Sequence, residues 1–197
     1  MLVFWEQRLV FLATPKTGST AVEAALESMA EVAVGQPPAL KHTTLGRYRR
    51  FIGPWLEKTS GAKFEVVALM REPVSWLGSW YRYRGRAGIE GSPRSTRGMS
   101  FDDFVAAYLS QPVPECARIG AQAQFLGAGR ADCVDRVFRY EAIEGFVDFL
   151  ETRVNQRIEL PRLNVSPPGE TPLSAALDAR LRQERADDFA LYESLGH

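Results

Sequence analysis

The sequence predicts an α/β domain in three layers, with a central, mostly parallel β-sheet flanked by helices and residues 1–197 forming a single unit. Three observations carry this reading. Residues 9–13 (LVFLA) and 64–70 (FEVVALM) are short, nearly continuous apolar runs rich in β-formers, as expected of strands buried on both faces. Each run ends abruptly in polar residues and then resumes with apolar residues at helical spacing. Strands alternating with helices imply parallel pairing through crossover connections.

The elements follow in order. After the strand at 9–13, residues 20–30 place Val22, Ala25, Leu26 and Met29 on one helical face. The strand at 64–70 leads into a helix starting near Pro73, a residue that suits a first helical turn. Residues 82–98 (RYRGRAGIEGSPRSTRG) are rich in Gly and Arg, have no period, and read as a surface loop. Residues 101–109 read as a helix capped by Ser100, with Asp103 three positions later. Residues 134–140 (VDRVFRY) alternate and read as a third strand nearer an edge. Helices are expected at 144–152 and at 172–195, the latter broken, with a second irregular segment at 161–172 (PRLNVSPPGETP).

Composition narrows the function classes. With 45% apolar and 24% charged residues, the chain fits neither a disordered nor a collagen-like class. No apolar run approaches the roughly 18 residues of a membrane-spanning helix. Met1 leads straight into strand-like sequence with no room for a signal peptide, so a cytoplasmic protein without a membrane partner is expected. Cys116 and Cys133 are then expected as free thiols. The two histidines, His42 and His197, form no metal-ligand cluster with them, so no metal is expected.

The net charge of zero is unevenly spread. Residues 41–100 hold 12 Lys/Arg against 4 Asp/Glu, an excess of +8, while residues 101–197 hold 10 against 16. Clustered arginines concentrate anions locally. A nucleic-acid surface would come with a basic domain as a whole, so a small anion is the better partner and no nucleic acid is expected.

The chemistry concentrates in two turns. The first apolar run ends in Pro15-Lys16-Thr17-Gly18-Ser19-Thr20 and the second in Arg71-Glu72-Pro73, with Ser79 eight positions after Arg71. A buried strand that turns tightly into a helix aims free backbone N–H groups, and the positive end of the helix dipole, beyond the sheet. Gly18 permits close backbone approach, Lys16 adds a charge, and Ser19 and Thr20 add hydroxyls. The Walker A pattern is not met, because Lys16 precedes Gly18 by two positions and the Mg²⁺-holding hydroxyl is misplaced. Arg71 presents a planar fork suited to phosphate oxygens.

Together these residues resemble the sulfotransferases that use 3′-phosphoadenylyl sulfate (PAPS). PKTGST is similar to that family's 5′-phosphosulfate loop, and the run from Arg71 to Ser79 is similar to its 3′-phosphate motif, the interval included. The resemblance covers about a third of the chain. It implies a P-loop-like fold, PAPS as donor, its bisphosphate PAP as product, and no metal. It further implies that Lys16 contacts the leaving 5′-phosphate, that Pro15 and residues 17–20 (Thr17, Gly18, Ser19, Thr20) hold it, and that Arg71 and Ser79 grip the 3′-phosphate. Tyr140, in a segment similar to the family's "YED", is placed near the adenine, although Glu141-Ala142 departs from Glu-Asp. The late Arg-Lys-Gly segment of cytosolic members is absent. Asn164-Val165-Ser166-Pro167 stands in that region, as in bacterial carbohydrate-type members.

Sulfuryl transfer also needs a base for the acceptor proton, and near neutral pH a histidine serves best. His42 lies between the two motifs, much as the family places its catalytic histidine, with Lys41 as companion; Glu23 and Glu57 are carboxylate alternatives. Trp55, Trp76, Trp80, Tyr81 and Tyr83 are available to line an acceptor cleft, and the acceptor is expected to be a small molecule or glycan bearing a hydroxyl or amine. Two other readings stand beside this one: a noncatalytic nucleotide-binding protein of the same fold, and a P-loop-like phosphotransferase.

Overall fold

The alternation of buried positions explains the sheet. In the computed structural model, which describes residues 1–128, 133–161, 163 and 171–196, strand β4 (Glu65–Met70) turns Val66, Ala68 and Met70 to one core and Val67 and Leu69 to the other. Both sets are buried, so the run reads as continuous rather than alternating. β2 (Leu9–Leu12) behaves alike, with Val10 and Leu12 on one side and Leu9 and Phe11 on the other. Full burial of such a side chain stabilises the fold by about 1.5–3 kcal/mol.

Five strands form one sheet in the order β3-β1-β2-β4-β5, where β1 is Leu2–Phe4, β3 is Val32–Ala33 and β5 is Arg136–Arg139. β2, β4 and β5 run parallel, whereas β1 pairs antiparallel with both β2 and β3. The sheet is therefore mixed, which corrects the expectation of a mostly parallel one. β1 enters as a hairpin partner of β2, and a hairpin needs only a short turn where a parallel pair needs a crossover. The expected third strand is at the edge, as β5, and is shorter than 134–140.

Helices cover both faces. On one, α1 (Ser19–Leu26) and α8 (Ile143–Val154) supply Val22, Leu26, Phe146 and Leu150 to the core. On the other, a continuous helical segment contributes Leu45, Tyr48 and Leu56, and α7 (Gln122–Leu126) contributes Phe125 and Leu126. That segment comprises α3 (Leu45–Arg47), a wider π turn (Tyr48–Ile52) and α4 (Gly53–Ser60); α2 (Pro38–Lys41) precedes it. A third cluster joins α5 (Pro73–Arg84) and α6 (Phe101–Tyr108) to α9 (Ala175–Glu184) and α10 (Ala186–Ser194) through Trp76, Phe104, Leu181 and Phe189.

α6 starts with the expected capping box between Ser100 and Asp103, and the helix expected at 172–195 breaks at Arg185. α5 runs to Arg84, so the loop expected from residue 82 starts later. Thr96 Oγ1 fastens that loop to the Tyr81 carbonyl at 2.7 Å. Cys116 and Cys133 are free thiols. The motif Asn164–Pro167 region (residues 164–167) and His197 lie outside the described residues. Among the described residues, no helix is long and apolar enough to cross a membrane.

Candidate functional site

Because β2, β4 and β5 are parallel, their C-terminal ends share one edge, the usual place for ligands in open α/β sheets. The three segments that leave this edge begin with Ala13, Arg71 and Tyr140.

The turn after β2 is held by its carbonyls. Thr14 C=O accepts from Thr17 Oγ1 at 2.9 Å, Pro15 C=O from the Trp76 indole at 2.8 Å, and Lys16 C=O from Arg71 Nη1 at 3.5 Å. In a trans peptide the following N–H points opposite to its carbonyl, so the amides of Lys16 and Thr17 face away from Trp76 and Arg71. Lys16 itself has a left-handed φ of 66°, sterically costly for a residue with a Cβ. Such strain persists where the surroundings over-determine the backbone, as these three bonds do.

Gly18 caps α1 at φ 72°, and among the described residues no side-chain hydrogen bond caps the helix N-terminus. A Cβ there would lie 2.9 Å from Tyr140 Cε2. The sequence needs glycine here for both its conformation and its lack of a side chain. Thr17 and Ser19 are buried, and Thr20 Oγ1 accepts from Lys41 Nζ at 3.3 Å.

Lys16 Nζ lies 3.0 Å from the Tyr83 ring centroid and 4.9 Å from that of Trp80. Burial first, then repulsion from Arg86, Arg84 and Arg71, lowers its pKa from the usual lysine value to about 7. Among the described residues, the charges that act on this ammonium are cations. A net positive field of this kind, partly shielded from water, favours an anion.

Arg71 is positioned from three directions. Gln122 clamps its backbone, accepting from Arg71 N–H at 3.0 Å and donating to Arg71 C=O at 2.8 Å. Arg71 Nε donates to Ser75 Oγ at 2.9 Å, and the guanidinium stacks 4.8 Å from the Tyr140 ring centroid. Ser79 lies one helical turn beyond Ser75 and is buried. Arg71, Lys16, Gly18 and Tyr140 are thus brought together by direct contact.

His42 ends α2 and reaches back to the same edge. Its Nδ1 lies 2.7 Å from the Ala13 carbonyl, which can only accept, so Nδ1 carries the hydrogen and Nε2 keeps its lone pair. Burial lowers the pKa below the ordinary histidine value, so the ring is neutral near pH 7. Lys41 Nζ pairs with Glu23 at 2.5 Å, and Glu23 also pairs with the Met1 ammonium at 3.2 Å. As a base, Glu23 would have to leave two ion pairs. Glu57 faces Tyr48 from α4 and is not among the residues gathered at the turn.

A cleft of about 470 Å³ opens beside the turn, lined by Thr14, Pro15, Thr44, Leu45, Trp76 and Gln122 among others. Its size is that of a small-molecule site. Of the five aromatic residues considered for an acceptor cleft, Trp76 lines it. Trp80 and Tyr83 flank Lys16 instead, Tyr81 packs on Phe101 and Phe104, and Trp55 is exposed.

Sequence reasoning missed Ser75, Gln122 and the aromatic surround of Lys16. The rings had a readable signal, since the 76/80/83 spacing marks one helical face. Searches against family models, curated proteins and solved structures found no match to this chain.

Proposed function

We propose that the chain transfers a sulfuryl group from PAPS to a hydroxyl or amine of a small-molecule or glycan acceptor. The observation that carries this reading is the convergence of an uncapped helix N-terminus, Lys16 and Arg71 at the C-terminal edge of three parallel strands. Two separate cationic grips, one backbone-rich and one guanidinium, suit a nucleotide with phosphate at both 5′ and 3′ positions. Helices on both faces of β2, β4 and β5 support the P-loop-like description of the fold.

In this reading, residues 15–20 hold the 5′-phosphosulfate, Arg71 and Ser79 hold the 3′-phosphate, and Tyr140 lies near the adenine. The acceptor oxygen attacks sulfur while the bond from sulfur to the 5′-phosphate oxygen breaks. The electron pair leaves with that phosphate, where Lys16 neutralises the developing charge. The acceptor proton goes to His42 Nε2, the lone pair left free by the bond to Ala13.

Calorimetric titration with 3′-phosphoadenosine 5′-phosphate and, separately, with ATP·Mg²⁺ tests the donor assignment. The bisphosphate is expected to bind more tightly, and ATP binding without bisphosphate binding would sink the proposal. His42→Ala should lower transfer from labelled PAPS by about 10²–10⁴-fold while leaving bisphosphate affinity within about twofold. Unchanged turnover in that variant would remove His42 from the mechanism.

A further inference from the structure

The helical segment from Leu45 to Ser60 has two unlike faces. Leu45, Tyr48 and Leu56 are buried against the sheet, and Gly53 against Tyr48. The opposite face carries Phe51 at 65% exposure and Trp55 at 59%, two of the few large apolar side chains left in solvent. They stand four positions apart, both in solvent. Leu40, 54% exposed, follows Ala39, whose carbonyl accepts from Arg47 at 3.4 Å, so a third exposed apolar residue lies within reach of an arginine of this segment.

Cations flank the apolar residues. Arg47, Arg50 and Lys58 are exposed; Arg49 turns instead to the Cys133 carbonyl and Asp135, and Glu57, the one acid in the segment, is half-buried. Arg50 stacks on Phe51 at 5.1 Å, so charge and ring present together. A helix lying on a surface, with aromatic residues outward and arginines beside them, is the pattern of an interfacial membrane contact: the rings enter the headgroup boundary and the guanidiniums meet lipid phosphates.

We infer that this face docks the protein onto an anionic lipid bilayer. A second copy is disfavoured because a two-fold contact would bring two sets of these arginines into one interface. The expectation of no membrane partner rested on the lack of a spanning run, and a surface-lying helix needs none. The same segment contributes Gly46 and Arg49 to the wall of the cleft, so the bilayer contact and the cleft share one helix. The inference does not depend on the sulfuryl-transfer reading.

Co-sedimentation of the full chain with vesicles tests it. Binding is expected to vesicles of equal parts phosphatidylcholine and phosphatidylglycerol, to be absent with phosphatidylcholine alone, and to weaken as salt rises from about 0.05 to about 0.5 M. Arg47→Ala/Arg50→Ala should lower partitioning by about thirtyfold. Phe51→Ala/Trp55→Ala should lower it by about tenfold or more, with circular dichroism unchanged because all four side chains are exposed. Failure to bind anionic vesicles, equal binding to both vesicle types, or variants that bind like the parent would overturn the inference. So would light scattering that shows a dimer broken by Trp55→Ala, or RNA binding through this face without vesicle binding.

Discussion

The turn after β2 and the turn after β4 open at the same edge of the sheet, yet they treat the helices that follow in opposite ways. α1 begins at Gly18 without a side-chain cap, on a backbone strained at Lys16 and tied down through its carbonyls. α5 begins at Glu72, whose carboxylate accepts from Ser75 N–H at 2.6 Å, and Glu141 Oε1 accepts from Glu72 N–H at 3.0 Å. Two carboxylates therefore already occupy the positive end of α5. The first turn can offer an anion backbone amides and a lysine. The second offers side chains, Arg71 foremost. Two turns with similar polar residues thus divide into a backbone cradle and a side-chain grip.

This comparison breaks most visibly at Lys16. If the first turn carries the leaving phosphate, Lys16→Ala should lower transfer from labelled PAPS by about 10²–10³-fold, the usual cost of removing one group that stabilises transition-state charge. A smaller loss in bisphosphate affinity should accompany it. An equal loss in turnover and in affinity would assign Lys16 to binding alone.

The second turn should behave differently. A charge-assisted hydrogen bond contributes about 1.5–3 kcal/mol, so Arg71→Ala should weaken bisphosphate binding by about 10–100-fold in calorimetry. Adenosine 5′-phosphate, which has no 3′-phosphate, should lose much less, only what the first turn loses with the Arg71 bond to Lys16 C=O. An equal loss for both ligands would show that Arg71 does not hold the 3′ end.

The sequence made the cradle legible and left its supports hidden, for physical reasons. β2 and β4 are buried on both faces, so their apolar runs stand out, and the polar residues that end each run mark the turns. β1 and β3, of three and two residues, are too short to show a period, and their antiparallel pairing is what makes the sheet mixed. The helical segment from residue 45 escaped because the π turn at Tyr48–Ile52 shifts the spacing of its buried positions away from the α-helical one. Gln122 grips Arg71 from 51 residues away, and no local pattern reports such a contact. Lys16, Gly18 and Arg71 could be nominated from sequence alone, whereas the Glu72 and Glu141 caps that separate the two turns could not.

The finest test of the difference is a proton count. Lys16 has a pKa of about 7 because it is buried among arginines. A phosphate in the cradle would supply the missing counter-charge and return the ammonium toward the ordinary lysine range. Binding then takes up about half a proton at pH 7 and nearly a whole one at pH 8, read as a dependence of the calorimetric heat on buffer ionisation enthalpy. The sign is fixed by the free protein: below about pH 7 the lysine is already protonated and its charge no longer limits binding. Above it, each unit of pH should weaken binding by up to about tenfold. Arg71 is also below its ordinary pKa through burial, but it stays charged throughout this window and contributes no uptake. Lys16→Ala should therefore abolish the proton uptake, whereas Arg71→Ala, which removes the smallest of the named causes of the Lys16 shift, should only reduce it, so the two turns separate even where their losses in affinity are alike.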